Sequence, residues 1–283
     1  MKVESKTLSE LEEMQNSGPI CGVFKVIDDD YHSFKAINST SIKAASISMA
    51  HFNSKYDPDP TAPISERASH FAFGSALHAY MLDMPEFNRS FVVRPNLDLR
   101  TKEGRAWKEE NKYRYILSRD DFYYIQKMSK SIVESFWWQE FTEGEHYTEL
   151  AMFWVCDTSG LQCKSKVDLF NPKIGILDLK TTSKNVTERE LFYAYKNYRY
   201  DLQQAHYVAG LRSCVPYSSE RFALGFVEKN APFATRSTIL EATTQTNTEA
   251  EYKSLMLEIA HALETGCYPG PAKKDETYLE IKL

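Results

Sequence analysis

Three short runs rich in β-forming residues, Tyr147 to Asp157, Leu161 to Phe170 and Ile174 to Lys180, follow one another with almost no chain between them. Their junctions, Thr158-Ser159-Gly160 and Asn171-Pro172-Lys173, are of turn type. Such a series folds most simply as an antiparallel meander. Helical patterns follow at about 187–197 and 200–213, then strand patterns at 221–229 and 234–241, and a closing helix at 247–265.

The chain before the meander reads differently. After an acidic start, a short strand at Val23 to Ile27 is stopped by Asp28-Asp29-Asp30. Asn38-Ser39-Thr40-Ser41 caps a helix running to about His51, and Asp57 to Pro63 is a proline-punctuated loop. A helix from about Ser65 to Leu82 carries Phe73, Ala76, Leu77 and Tyr80 at core spacings, with Pro85 just beyond its end. A strand-like Phe91-Val92-Val93 precedes two helices at about 101–116 and 119–140. No internal repeat and no linker divides the chain, so residues 1–283 read as one domain. Residues 1–140 form a mostly helical N-terminal part, and 147–242 hold the sheet. The expected class is α/β, a sheet with helices on both sides.

Composition narrows the function. The 283 residues hold 34 Lys and Arg against 39 Asp and Glu, a net charge of −5. No stretch approaches the ~18 apolar residues of a membrane helix. Residues 1–13 lack the apolar core of a signal peptide. The five cysteines include no Cys-x-x-Cys pair, which argues for reduced thiols in the cytoplasm and against a zinc ribbon or an iron–sulfur cluster. Phosphate-loop and dinucleotide-binding glycine motifs are absent, as is the paired-histidine helix of zinc proteases.

Chemistry concentrates in Lys166-Val167-Asp168 and, ten residues after that aspartate, Asp178-Leu179-Lys180. On strands joined by a tight turn the two aspartates meet near one end of the hairpin. Strand alternation puts Asp178 and Lys180 on one face. Two carboxylates so placed repel unless a cation lies between them, and hard oxygen ligands suit Mg²⁺ or Mn²⁺. The lysine would then orient a water or stabilise a charged phosphate. The competing reading is a surface strand with a salt bridge.

At these residues the chain resembles the RecB-type branch of the PD-(D/E)xK nuclease superfamily. Three further segments fit in order: Phe73-Gly74-Ser75-Ala76-Leu77-His78, Glu149, and Gln203-Gln204-Ala205-His206-Tyr207. With Tyr31-His32 and Ala36-Ile37-Asn38-Ser39-Thr40-Ser41-Ile42-Lys43, the set is similar to the exonuclease VIII (RecE-type) nuclease domain, from about Gly22 to Gly270. The resemblance implies a restriction-endonuclease-like core, a central mixed sheet flanked by helices, with a helical N-terminal elaboration. It implies that Asp168, Asp178, His78 and the Leu179 carbonyl bind Mg²⁺, with Mn²⁺ able to substitute. Lys180 would handle the nucleophilic water, Gln203 and Tyr207 would position the DNA end or the lysine, and Glu149 is a candidate second-metal ligand. The implied activity is 5′-to-3′ digestion of double-stranded DNA ends by a ring-shaped tetramer, leaving a 3′ overhang for a single-strand annealing partner. The alternatives are a structure-dependent or single-strand endonuclease of the same superfamily and a catalytically silent DNA-end-binding module. Val167 replaces the proline of the family name, and Asp178 stands where Glu is also used.

The net charge conceals a partition that suits such a substrate. Residues 94–130 carry ten Lys and Arg against six acids, and 161–200 carry eight against four, each a balance of +4. Residues 1–30 balance at −4. Phosphate contact needs local positive charge of this kind, and Lys166 is one candidate. Ser39 and Ser41, at a helix start, could bind a phosphate or simply cap the helix. Trp107, Tyr113, Tyr115, Tyr123, Tyr124, Trp137 and Trp138 are interleaved with this charge. Some could stack on unpaired bases, though helix core is the expected place for most.

Overall fold

The computed structural model describes residues 3–58 and 69–272, with the backbone alone for 69–72. The His70 side chain, the first residues expected for the second helix, and Asp59 to Pro63 of the proline-rich loop lie outside the described residues.

The expected meander is present. Strands β1 (Glu4–Ser5) and β2 (Gly22–Lys25) come first in the chain, and β3 (Phe91–Val93) and β4 (Tyr115–Leu117) form a separate parallel pair. The meander is β5 (Tyr147–Val155), β6 (Gln162–Asn171) and β7 (Gly175–Thr182), followed by β8 (Phe222–Glu228) and β9 (Thr235–Thr238). The main sheet has the order β1-β2-β5-β6-β7-β8-β9. It is mixed: β1 with β2 and β7 with β8 are parallel, and the other neighbours are antiparallel.

Helices α1 (Leu8–Ser17) and α2 (Asp28–Ser33) cover Ala151 and Phe153 of β5. Helices α3 (Ser39–Ala45) and α4 (Met49–Tyr56) lie on one face of the sheet. Helices α5 (Ser69–Leu82), α6 (Met84–Ser90), α7 (Lys102–Glu110), α8 (Arg119–Val133) and α9 (Phe136–Thr142) follow. Of these, α5, α6, α8 and α9 build a core on the opposite face, against Leu169, Leu177 and Leu179. Helices α10 (Glu188–Tyr198) and α11 (Tyr200–Cys214) carry the chain over from β7 to β8. With α12 (Ala242–Thr265), α11 packs on the same face as α3 and α4, against Leu150, Val167, Phe170 and Ile176. This is an α/β fold with a central mixed sheet flanked by helices. Among the described residues no helix is long and apolar enough to cross a membrane.

Several boundaries differ from expectation, each for a local reason. The helix expected from 38 to 51 is two, because Ser48 caps a fresh start through its bond to the His51 N–H. The helix expected over 119–140 breaks likewise at Ser135, whose hydroxyl accepts from the Trp138 N–H. Tyr115 and Ile116, expected to end a helix, pair instead with Phe91 and Val92 in a strand that runs on to Leu117. Asp28 to Asp30 open α2, since acids suit a helix N-terminus, and Pro85 opens α6, where its missing N–H costs nothing. Helix α1, begun by a Thr7–Glu10 capping box, occupies the stretch read only as an acidic start. Helix α12 begins five residues earlier than expected, at Ala242 rather than 247.

Gly210, midway along α11, lies against the Trp154 ring of β5. A Cβ built there would sit 2.6 Å from a ring carbon, so only glycine lets the helix approach the sheet this closely.

Candidate active site

The β6–β7 ladder runs from Asn171↔Gly175 to Leu169↔Leu177. The next facing positions are Asp168 and Asp178. The Leu179 N–H just beyond donates to Asp168 Oδ2 at 2.7 Å, so a side chain takes an amide the ladder leaves free. On the other side of β6, Glu149 stands between the pairs Thr148↔Leu169 and Leu150↔Val167 and adopts φ +48°. Side-chain alternation slips here too, because Val167 and Leu169 pack on opposite faces of the sheet. An irregular segment thus lies where three carboxylates converge.

Four elements supply the remaining groups. From α5, His78 Nδ1 lies 3.4 Å from Asp168 Oδ2. Lys180, two residues beyond Asp178 on β7, sets its ammonium against Asp178 Oδ2. From α11, Gln203 Nε2 donates to Asp178 Oδ1 at 2.6 Å, and its Oε1 accepts from Lys43 Nζ of α3 at 2.9 Å. The Tyr200 ring lies 5.1 Å from the Lys43 ammonium and 5.4 Å from that of Lys180.

Electrostatics pushes the two aspartates apart. Burial, joined by the charge of Asp168, raises the Asp178 pKa despite Lys180. Burial also opposes ionisation of Asp168, but His78, Lys180 and the Leu179 N–H outweigh it and hold this carboxyl below its usual value. Burial disfavours the His78 cation, yet Asp168 outweighs it and raises the imidazole pKa. Lys180 is raised by both aspartates against its own desolvation. Carboxyls separated in this way can take different protonation roles.

Lys166 belongs to a separate cluster. Its ammonium contacts Asp28 and lies 3.0 Å from Glu149 Oε2. Burial lifts the Glu149 carboxyl to about 7 against the pull of Lys166. The Tyr207 hydroxyl donates to the Lys166 carbonyl at 3.1 Å, tying α11 to β6.

The structure therefore brings together Asp168, Asp178, Lys180, His78 and Gln203, with the Tyr207 hydroxyl beside Gln203 and Glu149 across the ladder. Leu179 meets Asp168 through its amide, not its carbonyl. Ser41 is buried and exchanges hydrogen bonds with Asn38 in a capping box, which leaves Ser39 as the more exposed of the two serines. His206 is a satisfied core histidine, bonded to the Lys164 carbonyl and the Tyr252 hydroxyl. The aromatics divide otherwise than expected: Trp137 and Trp138 are buried, whereas Tyr113, Tyr115, Tyr123 and Tyr124 are all exposed. Lys43 and Tyr200 carried no assigned role in the sequence. Lys43 closes the segment Ala36 to Lys43 that carries part of the resemblance, and Tyr200 is marked only by its place three residues before Gln203.

A divalent cation suits the donor chemistry of this site. Asp178 Oδ2 is buried and touches Lys180, yet receives no well-directed hydrogen bond. Among the described residues no three His, Cys, Asp or Glu side chains form a ready-made metal group. In this arrangement Lys180 supplies positive charge beside Asp178 and the His78 imidazole lies against Asp168, so a cation would have to displace Lys180 from Asp178.

The fold is similar to that of a crystal structure described as a "putative exonuclease" from Eubacterium rectale, with a TM-score of 0.61 over 91% of this chain and 95% of that one, at 14% sequence identity. No curated protein matches the sequence. The family model described as a PDDEXK-like domain of unknown function (DUF3799) matches residues 33–278, and the chain belongs to that family.

Proposed function

We propose that this chain is a divalent-metal-dependent exodeoxyribonuclease acting at double-stranded DNA ends. The observation that carries the reading is the convergence of Asp168, Asp178, Lys180, His78 and Gln203 on the opened end of the β6–β7 ladder. Asp168 and Asp178 would hold the ion, Mg²⁺ with Mn²⁺ as a substitute, and His78 would complete the set. When bound, the ion supplies Lewis-acid polarisation of the phosphodiester and acidifies a water.

The chain's own groups do the rest. The Leu179 N–H fixes the Asp168 carboxylate, and Gln203 holds one Asp178 oxygen while the other meets Lys180. Lys180, released from Asp178, presents an ammonium to the attacking water and to the charge that develops on the phosphate.

The resemblance to exonuclease VIII-type domains extends this reading. It adds digestion of the 5′ strand, a tetrameric ring that encloses DNA, transfer of the 3′ overhang to a single-strand annealing protein, Glu149 at a second ion, and action in the cytoplasm. The exonuclease designation of the structural neighbour points the same way.

The test is digestion of linear duplexes labelled at the 5′ or 3′ end, beside covalently closed circles, with Mg²⁺ or with EDTA. Loss of label in sequence from one end, with circles intact and EDTA blocking, is expected. Cutting of the circles replaces the exonuclease reading with an endonuclease. Digestion by Lys180→Ala at the parent rate removes the assigned site.

A further inference from the structure

Of three buried or half-buried lysines around the meander, two are paired with acids and the third has its donors taken by carbonyls. Lys180 meets Asp178, Lys166 meets Asp28 and Glu149, and Lys164 donates to the carbonyls of Tyr31 and Phe34. Lys43 is different. Among the described residues its ammonium makes one hydrogen bond, to the neutral amide oxygen of Gln203, and forms no ion pair. The acids whose charge it feels are Asp178 and Asp201. Asp178 is occupied by Lys180 and Gln203, and Asp201 is held by Arg199 through bonds of 3.0 Å to each carboxylate oxygen. Burial and the nearby Lys180 lower the Lys43 pKa to about 8 against the pull of Asp178 and Asp201.

A lysine ammonium has three donors, and withdrawing it from water without an anion is costly. One amide separates it from Asp178, and it shares the Tyr200 ring with Lys180. The anion it lacks would therefore lie beside the group that Lys180 serves. We propose that Lys43 is a DNA-binding residue of this site, its ammonium taking a backbone phosphate of the strand being cut, next to the scissile one. The inference rests on the nuclease reading and adds to it a second, fixed phosphate contact. Lys180 has to leave a carboxylate to work, whereas Lys43 is ready as it stands.

Lys43→Met tests this with the full chain, since it keeps an unbranched side chain and removes the charge together with the bond to Gln203. Binding of a fluorescent duplex in EDTA is measured across a salt series, with thermal melts to verify folding. Lys43→Met is expected to weaken binding about tenfold and to reduce the slope of log K against log salt by roughly 0.9, the value for one phosphate contact. Lys43→Arg should keep the slope. In a Gln203→Ala background, Lys43→Met should cost the same again, because the phosphate contact does not pass through Gln203. The proposal is overturned if a folded Lys43→Met binds with the parent affinity and slope, or if its effect disappears in the Gln203→Ala background. A parent that binds the duplex but hydrolyses none with Mg²⁺ or Mn²⁺ defeats the nuclease reading, while the salt slopes still decide the role of Lys43. A parent that binds no DNA defeats both.

Discussion

Lys166 and Lys180 project from neighbouring strands of one meander, both largely shielded from solvent and both against carboxylates. Their surroundings differ in one respect. Lys166 lies between two acids, Asp28 and Glu149, and the Tyr207 hydroxyl pins its backbone. Lys180 forms an ion pair with one acid, Asp178, which burial already pushes toward its neutral form, while Asp168 acts on it through charge alone and the Tyr200 ring lies 5.4 Å away. An ammonium shared by two acids is a strut; one paired with a single acid is exchangeable. The number of carboxylates paired with each ammonium separates the fixed ion cluster from the proposed reactive one, although burial weakens an acid in both.

Substitution tests that division. Lys180→Ala should leave the thermal melt near that of the parent and lower the rate of end-label release by roughly 10³-fold or more. Lys166→Met should do the reverse. It leaves Glu149 without its cation in a buried setting, so denaturant unfolding should show a loss of about 2–3 kcal/mol, the partial exposure of Asp28 moderating the effect. If Lys166→Met instead removed activity from a fully stable protein, the two lysines would be partners in one site.

The fixed cluster should also leave a pH signature. The Glu149 pKa, raised to about 7 from 4.5, means that the folded chain binds this proton more tightly than the unfolded one. Its contribution is therefore fully present below about 4.5 and is lost as pH rises through 7. Glu149→Gln cannot ionise, so its stability relative to the parent should rise by about 2–3 kcal/mol between pH 4.5 and pH 8, read from melts at a series of pH values. A pH-independent difference would show that Lys166 keeps this carboxylate ionised throughout. The smallest effect is expected of Tyr207→Phe, which loses the hydroxyl's bond to the Lys166 carbonyl and its contact with Gln203, about 1 kcal/mol by denaturant unfolding, with a rate loss far below that of Lys180→Ala. A loss of activity much larger than this would move Tyr207 into the reactive group.

Asp168, Asp178 and Lys180 are legible in the sequence because their relation is local. A tight turn and a two-residue period suffice to bring them together. Gln203 and His78 come from helices whose placement no spacing encodes, and only their resemblance to a known pattern singles them out. Asp28 as a partner of Lys166 is 138 positions away, and nothing in its run of three aspartates separates it from a helix-starting acid. The strand at Tyr115–Leu117 is hidden for the same reason, since its partner lies more than twenty residues earlier. The helix breaks at Ser48 and Ser135, by contrast, are written locally as capping serines inside helical runs.

The glycine pressed against Trp154 has a consequence for the chemistry. Gly210 and Gln203 are seven residues apart on α11, two turns along the same face and roughly 10 Å along the axis. A helix is stiff over that length, so the gap between its backbone and the sheet at one end sets the reach of the glutamine at the other. Gly210→Ala would ask the helix to back away from the tryptophan ring, and the 2.6 Å bond from Gln203 to Asp178 has little slack to absorb the retreat. The gauge for the reactive centre is a missing methyl group outside it, and a packing substitution there would read out as slower hydrolysis, with every reacting group still in the chain.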